Sequence, residues 1–373
     1  MLNVICYMQP HRSGGIGRHG VEMARRLLRR PDVRGKLLAS HWQVRNNPAF
    51  AAEMAGLPIE THWLPEMMTE RMWKLLSWPP FPADQRGFDC IYGPAEVRFP
   101  RAAIPNIVTV HDAQAFETEL PWSRTFDHRL FQAKWRFWIP KVCREASCIA
   151  TVSEFSKQRL SEFLQIDPSR FAVIGNGISD VFFHQEPVPL SARTTSVVII
   201  GGLRTKKGAA ATLAVAERLR RISSPLTLDV FGQHDRDWAR RADAHPNVRL
   251  HPYVGDAELA IKLKSAVALL FLSLYEGFGI PAIEAMAAGT PAVVANRASL
   301  PEVVADAGVV VDDRDAEHVA EVLESLRCDH SLRDDLIRKG RHRAEHFTWD
   351  ACVERLVETM TRLKRSSPHP VSV

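Results

Sequence analysis

Glu276 and Glu284 stand eight residues apart in SLYEGFGIPAIEAMAAGTP (Ser273 to Pro291), with Gly277 and Gly279 between them. Two carboxylates around a glycine loop can accept hydrogen bonds from the neighbouring hydroxyls of a polyol, and an acid near a helix N-terminus stays ionised there. The glycines let backbone come close to a ligand, and the N–H groups of a helix start from Gly277 through Phe278, Gly279 and Ile280 favour phosphate or a ring of hydroxyls. Either glutamate alone is ordinary capping chemistry. The pair around one glycine loop is not. Three cations stand in a second loop, GGLRTKKG: Arg204, Lys206 and Lys207. His111 and Asp112 follow the apolar run NIVTV, and Gly14, Gly15 and Gly17 follow NVICYM.

These residues need elements to carry them. VALLFLS (Val267 to Ser273) is apolar without alternation, as in a strand covered on both faces, and Pro281 stands where a helix would begin, which puts Glu284 in its first turn. NVICYM reads as a strand, with a glycine loop and a helix beginning near Arg18; FDCIYG and NIVTV read as two more buried strands. The pattern restarts at VVIIGG and continues through LDVFG, VRLHPYV, VALLFLS, PAVVA and GVVVD, alternating with helical stretches. Strand and helix in alternation predict parallel, doubly wound sheets, with ligands at the strand ends. The proline-bearing QEPVPLSARTTS (Gln185 to Ser196) is the best linker between two domains, 1–184 and 185–350, followed by an amphipathic helix and a disordered tail over 351–373. A chain of 373 residues is long enough for two cores.

Bulk properties exclude several classes. Six cysteines show no C-x-x-C and no zinc spacing, which suits free thiols in a reducing, cytoplasmic setting. No uncharged apolar run approaches the roughly 18 residues of a membrane span, and the start lacks a basic leader. The net charge of +5 falls entirely within residues 1–180, which hold 23 Lys+Arg against 18 Asp+Glu. No base-reading motif accompanies it, so nucleic acid is not expected. Asp235 and Asp237 form a D-x-D, but HDRDWARRAD reads as an exposed helix start rather than a metal site.

Glu276, Glu284 and their glycine loop resemble the E-x7-E motif of the retaining nucleotide-sugar glycosyltransferases of family 4, among them bacterial mannosyltransferase-like members. The likeness continues through VVANRASLPEVVADAGVVVD to Asp312. It implies the GT-B fold, two Rossmann-like doubly wound α/β domains facing across a cleft, with the last helix returning to the first domain. It further implies a nucleotide-diphospho-sugar such as GDP-mannose or a UDP-sugar as donor substrate, no metal or cofactor, and a saccharide, glycolipid or lipid-linked acceptor in surface polysaccharide or glycolipid synthesis. Glu276 and the backbone of Gly277, Phe278, Gly279 and Ile280 would hold the donor sugar, Glu284 the ribose, Lys207 the pyrophosphate, and His111 would face the donor sugar. Gly15 would lie under the donor phosphate. GGLRTKKG resembles the family's G-R-L-x-x-x-K-G element, except that Gly202 occupies the arginine position, which leaves Arg204 and Lys206 as the candidates for a second cation.

Two other classes stay open on the sequence. A glycoside hydrolase also uses paired acids, but acting directly on the scissile bond. A catalytically silent, nucleotide-binding partner subunit would explain Gly202. The basic run holding Arg25, Arg26, Arg29, Arg30, Arg34 and Lys36, followed by Trp63, Met67, Met68, Met72, Trp73 and Trp78, raises a further expectation. It is peripheral binding to an anionic membrane, at the inner face of the plasma membrane, against the default reading of the arginines as a solvated helix face and the aromatics as core.

Overall fold

The computed structural model describes residues 1–8, 14–81, 83–100, 102–184, 188 and 194–366. Most of the linker candidate, and the tail from residue 367, lie outside the described residues. The chain forms two compact units. The first holds Met1–Phe116, Arg129–Asn176 and Trp349–Val373, and the second Glu117–His128 and Gly177–Thr348.

The first unit runs β1 (Leu2–Tyr7), α1 (Gly15–Arg29), β2 (Val33–Ser40), α2 (His41–Asn46), α3 (Pro48–Glu53), β3 (Ile59–His62), α4 (Glu66–Leu76), β4 (Cys90–Gly93), β5 (Asn106–Thr109), α5 (Phe126–Glu145), β6 (Cys148–Thr151), α6 (Glu154–Leu164) and β7 (Phe171–Val173). Its seven strands are all parallel, in the order β3-β2-β1-β4-β5-β6-β7. Successive residues of β1 feed opposite cores. Val4 and Cys6 join a layer with Ala24 and Leu27 of α1, whereas Ile5 and Tyr7 join the other with Trp73 of α4 and Ile139 and Val142 of α5. That explains a strand with no polar alternation. α6 starts where its sequence dictates, the Ser153 hydroxyl accepting from the Ser156 N–H at 3.0 Å. α1 begins at Gly15, three residues before the position expected from its pattern.

The second unit runs β8 (Ser196–Ile200), α7 (Ala209–Arg221), β9 (Thr227–Phe231), α8 (Arg236–Ala242), β10 (Val248–His251), α9 (Asp256–Ser265), β11 (Ala268–Phe271), α10 (Ile280–Ala287), β12 (Ala292–Ala295), α11 (Leu300–Val304), β13 (Val309–Val311), α12 (Ala316–Cys328) and α13 (His330–Ala344). Its six parallel strands lie in the order β10-β9-β8-β11-β12-β13. It starts at Gly177 because Ile178 bridges to Thr348 and the turn Asp180–Phe182 packs on α9. The last helix, α14 (Trp349–Ser366), lies in the first unit against α1, where Leu356 and Met360 enter the core and Arg26 and Arg30 reach Asp350 (2.7 Å) and Glu354 (2.5 Å). Strand order reverses between β1 and β4 and between β8 and β11, and such switch points are where open parallel sheets bind ligands.

Candidate functional site

In the second unit the loops leaving the two strands at the switch point meet. Lys207, in a 3₁₀ turn at Thr205–Lys207 after β8, places Nζ 2.5 Å from Oε1 of Glu276, at the exit of β11. The Ser273 hydroxyl lies 2.5 Å from the same oxygen, and the Lys206 carbonyl accepts from the Leu274 N–H, which ties the two loops together. Burial pushes the Glu276 carboxyl upward, but the charges of Lys207 and Lys206 and the hydrogen bonds from Lys207 and Ser273 outweigh it and hold the carboxyl below its ordinary value. Glu276 is therefore a fixed anion beside two ammonium groups.

Lys206 and Lys207 are thus brought to Glu276, and Arg204 is not: its guanidinium turns toward Asp235, 3.7 Å away at the start of α8. The absence of an arginine at 202 has a local cause. Gly202 sits at φ +79°, and a Cβ there would lie 1.7 Å from the Gln233 carbonyl oxygen. The turn after β8 is pressed against the turn after β9, so position 202 admits no side chain of any kind. The loop is further braced by His234, whose Nδ1 accepts from the Leu203 N–H (3.0 Å) and whose Nε2–H donates to the His251 carbonyl (2.9 Å).

The glycine loop ends at Gly279, which caps α10 in the left-handed region at φ +117°. A Cβ there would come within 2.7 Å of Leu300. The Ser299 hydroxyl sits 3.0 Å from the Glu276 carbonyl and 2.6 Å from that of Phe278, pinning the loop from below. Phe278 itself packs edge-on against Phe347, which leaves its backbone rather than its ring for a ligand beside Gly277 and Ile280. Glu284 corrects the sequence reading: α10 opens at Ile280, so Glu284 is its fifth residue and no acid lies in the first turn. Its side chain is buried, beyond the range in which the helix end's dipole chiefly acts.

In the first unit, His111 follows β5 and is buried, its Nε2–H donating to the Pro94 carbonyl after β4 (3.2 Å) and its backbone N–H directed at Glu96 (3.4 Å). Nδ1 is left as the ring nitrogen for a ligand. His111 stands edge-on to His19 of α1 at 4.7 Å between ring centroids. His19, wholly buried, donates from Nδ1 to Asn176 (2.7 Å), and the Tyr92 hydroxyl lies 3.4 Å from Nε2. Burial, then the His111 charge, hold His19 well below its ordinary pKa against the opposing Asn176 bond, so it stays neutral. Gly15 is exposed at the first position of α1. Sequence reasoning passed over His19, Ser273 and Ser299. The adjacency of His19 to the glycine loop was their only linear signal. Burial drives the Cys6, Cys143 and Cys352 thiols up to about 12, which removes them as nucleophiles.

Comparison with known proteins extends this geometry. Residues 13–182 match the family described as Glycosyltransferase Family 4, and residues 182–343 the one described as Glycosyl transferases group 1. O-antigen chain mannosyltransferase B of Escherichia coli is 29% identical over 228 residues, covering 57% of this chain and 60% of that protein. The phosphatidyl-myo-inositol mannosyltransferase of Mycolicibacterium smegmatis is 30% identical over 201 residues, 50% of this chain and 52% of that one. The matches thus span little more than half of these relatives' lengths. Anabaena Alr3699/HepE, solved in complex with UDP and glucose, superposes with a TM-score of 0.68 over 97% of this chain and 100% of that one at 15% identity, a likeness of fold.

Proposed function

Since the two family descriptions together take in residues 13–343, the chain belongs to the family 4 glycosyltransferases of GT-B fold, and we propose that it moves a hexose from a nucleotide-diphospho-sugar to a saccharide, glycolipid or lipid-linked acceptor with retention of configuration. The observation that carries this reading is the Lys207–Glu276 pair at the switch point of the second sheet. The donor's anomeric C–O bond breaks as negative charge grows on the leaving phosphate, and cations fixed beside that phosphate act where the charge develops. Lys207 and Lys206 take that role. Glu276, with the backbone from Gly277 to Ile280, holds the sugar hydroxyls, and Glu284 the ribose. The acceptor hydroxyl adds to the same face of the anomeric carbon, and its proton passes to the departing phosphate oxygen. His111, in the first unit, offers Nδ1 to a substrate hydroxyl, and no metal takes part. The mannosyl relatives support a hexose donor such as GDP-mannose, and the UDP-bound neighbour a UDP-sugar.

The rival readings fare worse on physical grounds. A glycosidase's paired acids act directly on the scissile bond with no phosphate site, whereas the carboxylate of Glu276 is paired with the Lys207 ammonium, with Lys206 beside it, cations that suit a diphosphate. A silent subunit drew its support from Gly202, which the packing against Gln233 accounts for. The deciding experiment is thermal shift across a panel of nucleotide-diphospho-sugars, followed by transfer assays with the stabilising donor, since a ligand raises stability by RT ln(1 + [L]/Kd). Stabilisation by a donor with transfer to a saccharide supports the reading. No stabilisation by any donor refutes it.

A further inference from the structure

The large exposed hydrophobic side chains are not scattered over the first unit; many of them sit on two helices. α4 buries Thr69, Glu70 and Trp73 and turns Met67, Met68, Arg71 and Leu75 to solvent, with Trp63 and Trp78 exposed just before and after it. Leu75 is 73% exposed and Trp63 76%. α5 buries Trp138, Ile139, Val142 and Cys143, and its outward stripe reads Leu130, Lys134, Phe137, Lys141, Arg144, apolar and basic residues in turn. The two helices adjoin, since Lys74 of α4 lies 4.8 Å over the Trp138 ring. Trp73 and Ile139 enter the same core layer, so both helices cover one face of the sheet and their opposite faces look the same way. A soluble surface seldom leaves so many large apolar groups uncovered without a partner.

This arrangement separates what the linear sequence had joined. The arginine run begins on α1, whose core contacts belong to the other layer, and ends on β2 with Arg34 and Lys36. Several of its charges are also already met: Arg25 and Arg26 by Glu22, Arg26 also by Asp350, and Arg30 by Asp32 and Glu354. Lys36 is paired with Glu60. Trp73 is core. Arg71, Lys134 and Lys141, by contrast, are exposed and have no carboxylate partner among the described residues, and Lys141 lies 4.0 Å over the Phe137 ring.

We propose that the outward faces of α4 and α5 dock the protein in the plane of an anionic lipid surface, the apolar groups entering the headgroup boundary and the three cations meeting lipid phosphates. Long cationic stems beside aromatic rings suit that boundary. No helix among the described residues is long and apolar enough to cross a membrane, and the attachment proposed is lateral and reversible. The inference deepens the lipid-linked acceptor reading above. It is measured without donor or turnover, so the two can fail separately.

The test is flotation of the full chain with phosphatidylcholine vesicles and with phosphatidylcholine–phosphatidylglycerol vesicles, at low and high salt. Wild type should float with the anionic vesicles at low salt and stay behind with the neutral ones. Leu75→Ser/Phe137→Ser and Lys134→Glu/Lys141→Glu should each lower vesicle affinity at least about tenfold, with thermal unfolding unchanged because all four side chains are exposed. Arg25→Gln should bind as wild type does. Absence of flotation with either vesicle overturns the proposal, as does an equal loss with Arg25→Gln. Self-association that Leu75→Ser/Phe137→Ser abolishes, without vesicle binding, also overturns it and makes the face an interface between copies.

Discussion

Glu276→Gln separates the two roles assigned to the loop pair, because it should weaken one ligand interaction and strengthen another. In the structure Glu276 Oε1 takes contacts from Lys207 Nζ at 2.5 Å and Ser273 Oγ at 2.5 Å, with the lysine and glutamate side chains 20% and 16% exposed. A hydrogen bond between charged groups contributes about 1.5 to 3 kcal/mol, and partial exposure argues for the lower end. A diphosphate that recruits Lys207 must compete with this contact. Glutamine keeps the shape and removes the charge, so free UDP or GDP should bind about tenfold more tightly, the equivalent of about 1.4 kcal/mol. Sugar transfer should fall by about 10², since the sugar loses its ionised acceptor. Calorimetric titration of the nucleoside diphosphate and a transfer assay on the same preparation measure both. If the nucleoside diphosphate binds equally or more weakly to the variant, Lys207 is not what the diphosphate meets and the reasoning fails.

Three further outcomes follow from the same geometry. Glu276 has a folded pKa below its ordinary value of 4.5, so its stabilisation is complete above that pH and is lost as pH falls through the lower folded value; the stability gap between wild type and Glu276→Gln should close in acid, read by chemical denaturation across pH. His19 has a folded pKa well below 6.5, so the unfolded chain takes up its proton first and stability declines as pH drops below about 6.5; His19→Gln should flatten that decline in thermal melts, and an unchanged slope would reject the buried neutral ring. Gly202→Ala should cost at least about 3 kcal/mol, because a Cβ at φ +79° meets backbone rather than a movable side chain; a melting temperature equal to wild type would contradict the packed-turn explanation.

Much of this fold is legible in the linear sequence. Both faces of β1, β8 and β11 are apolar, which marks buried parallel strands, and glycine loops between strand and helix mark the strand ends at which such sheets are expected to take ligands. Glu276 and its glycine loop could be singled out from residue type and spacing, because their chemistry is local to one strand end, whereas Lys207 is named through the resemblance of GGLRTKKG to a family element. The site itself was decided by tertiary structure. Lys207 and Glu276 are 69 residues apart, and they meet because β8 and β11 are neighbours at the reversal of strand order. Spacing along the chain carries no record of that adjacency. The same holds for Gly202, whose missing side chain answers to Gln233 on the next turn, and for Arg204, which the fold turns aside to Asp235. The basic run and the aromatic stretch show the converse. They are close in sequence, but alternate residues of a strand point to opposite layers, and α1, where the basic run begins, and α4 pack on opposite faces of one sheet.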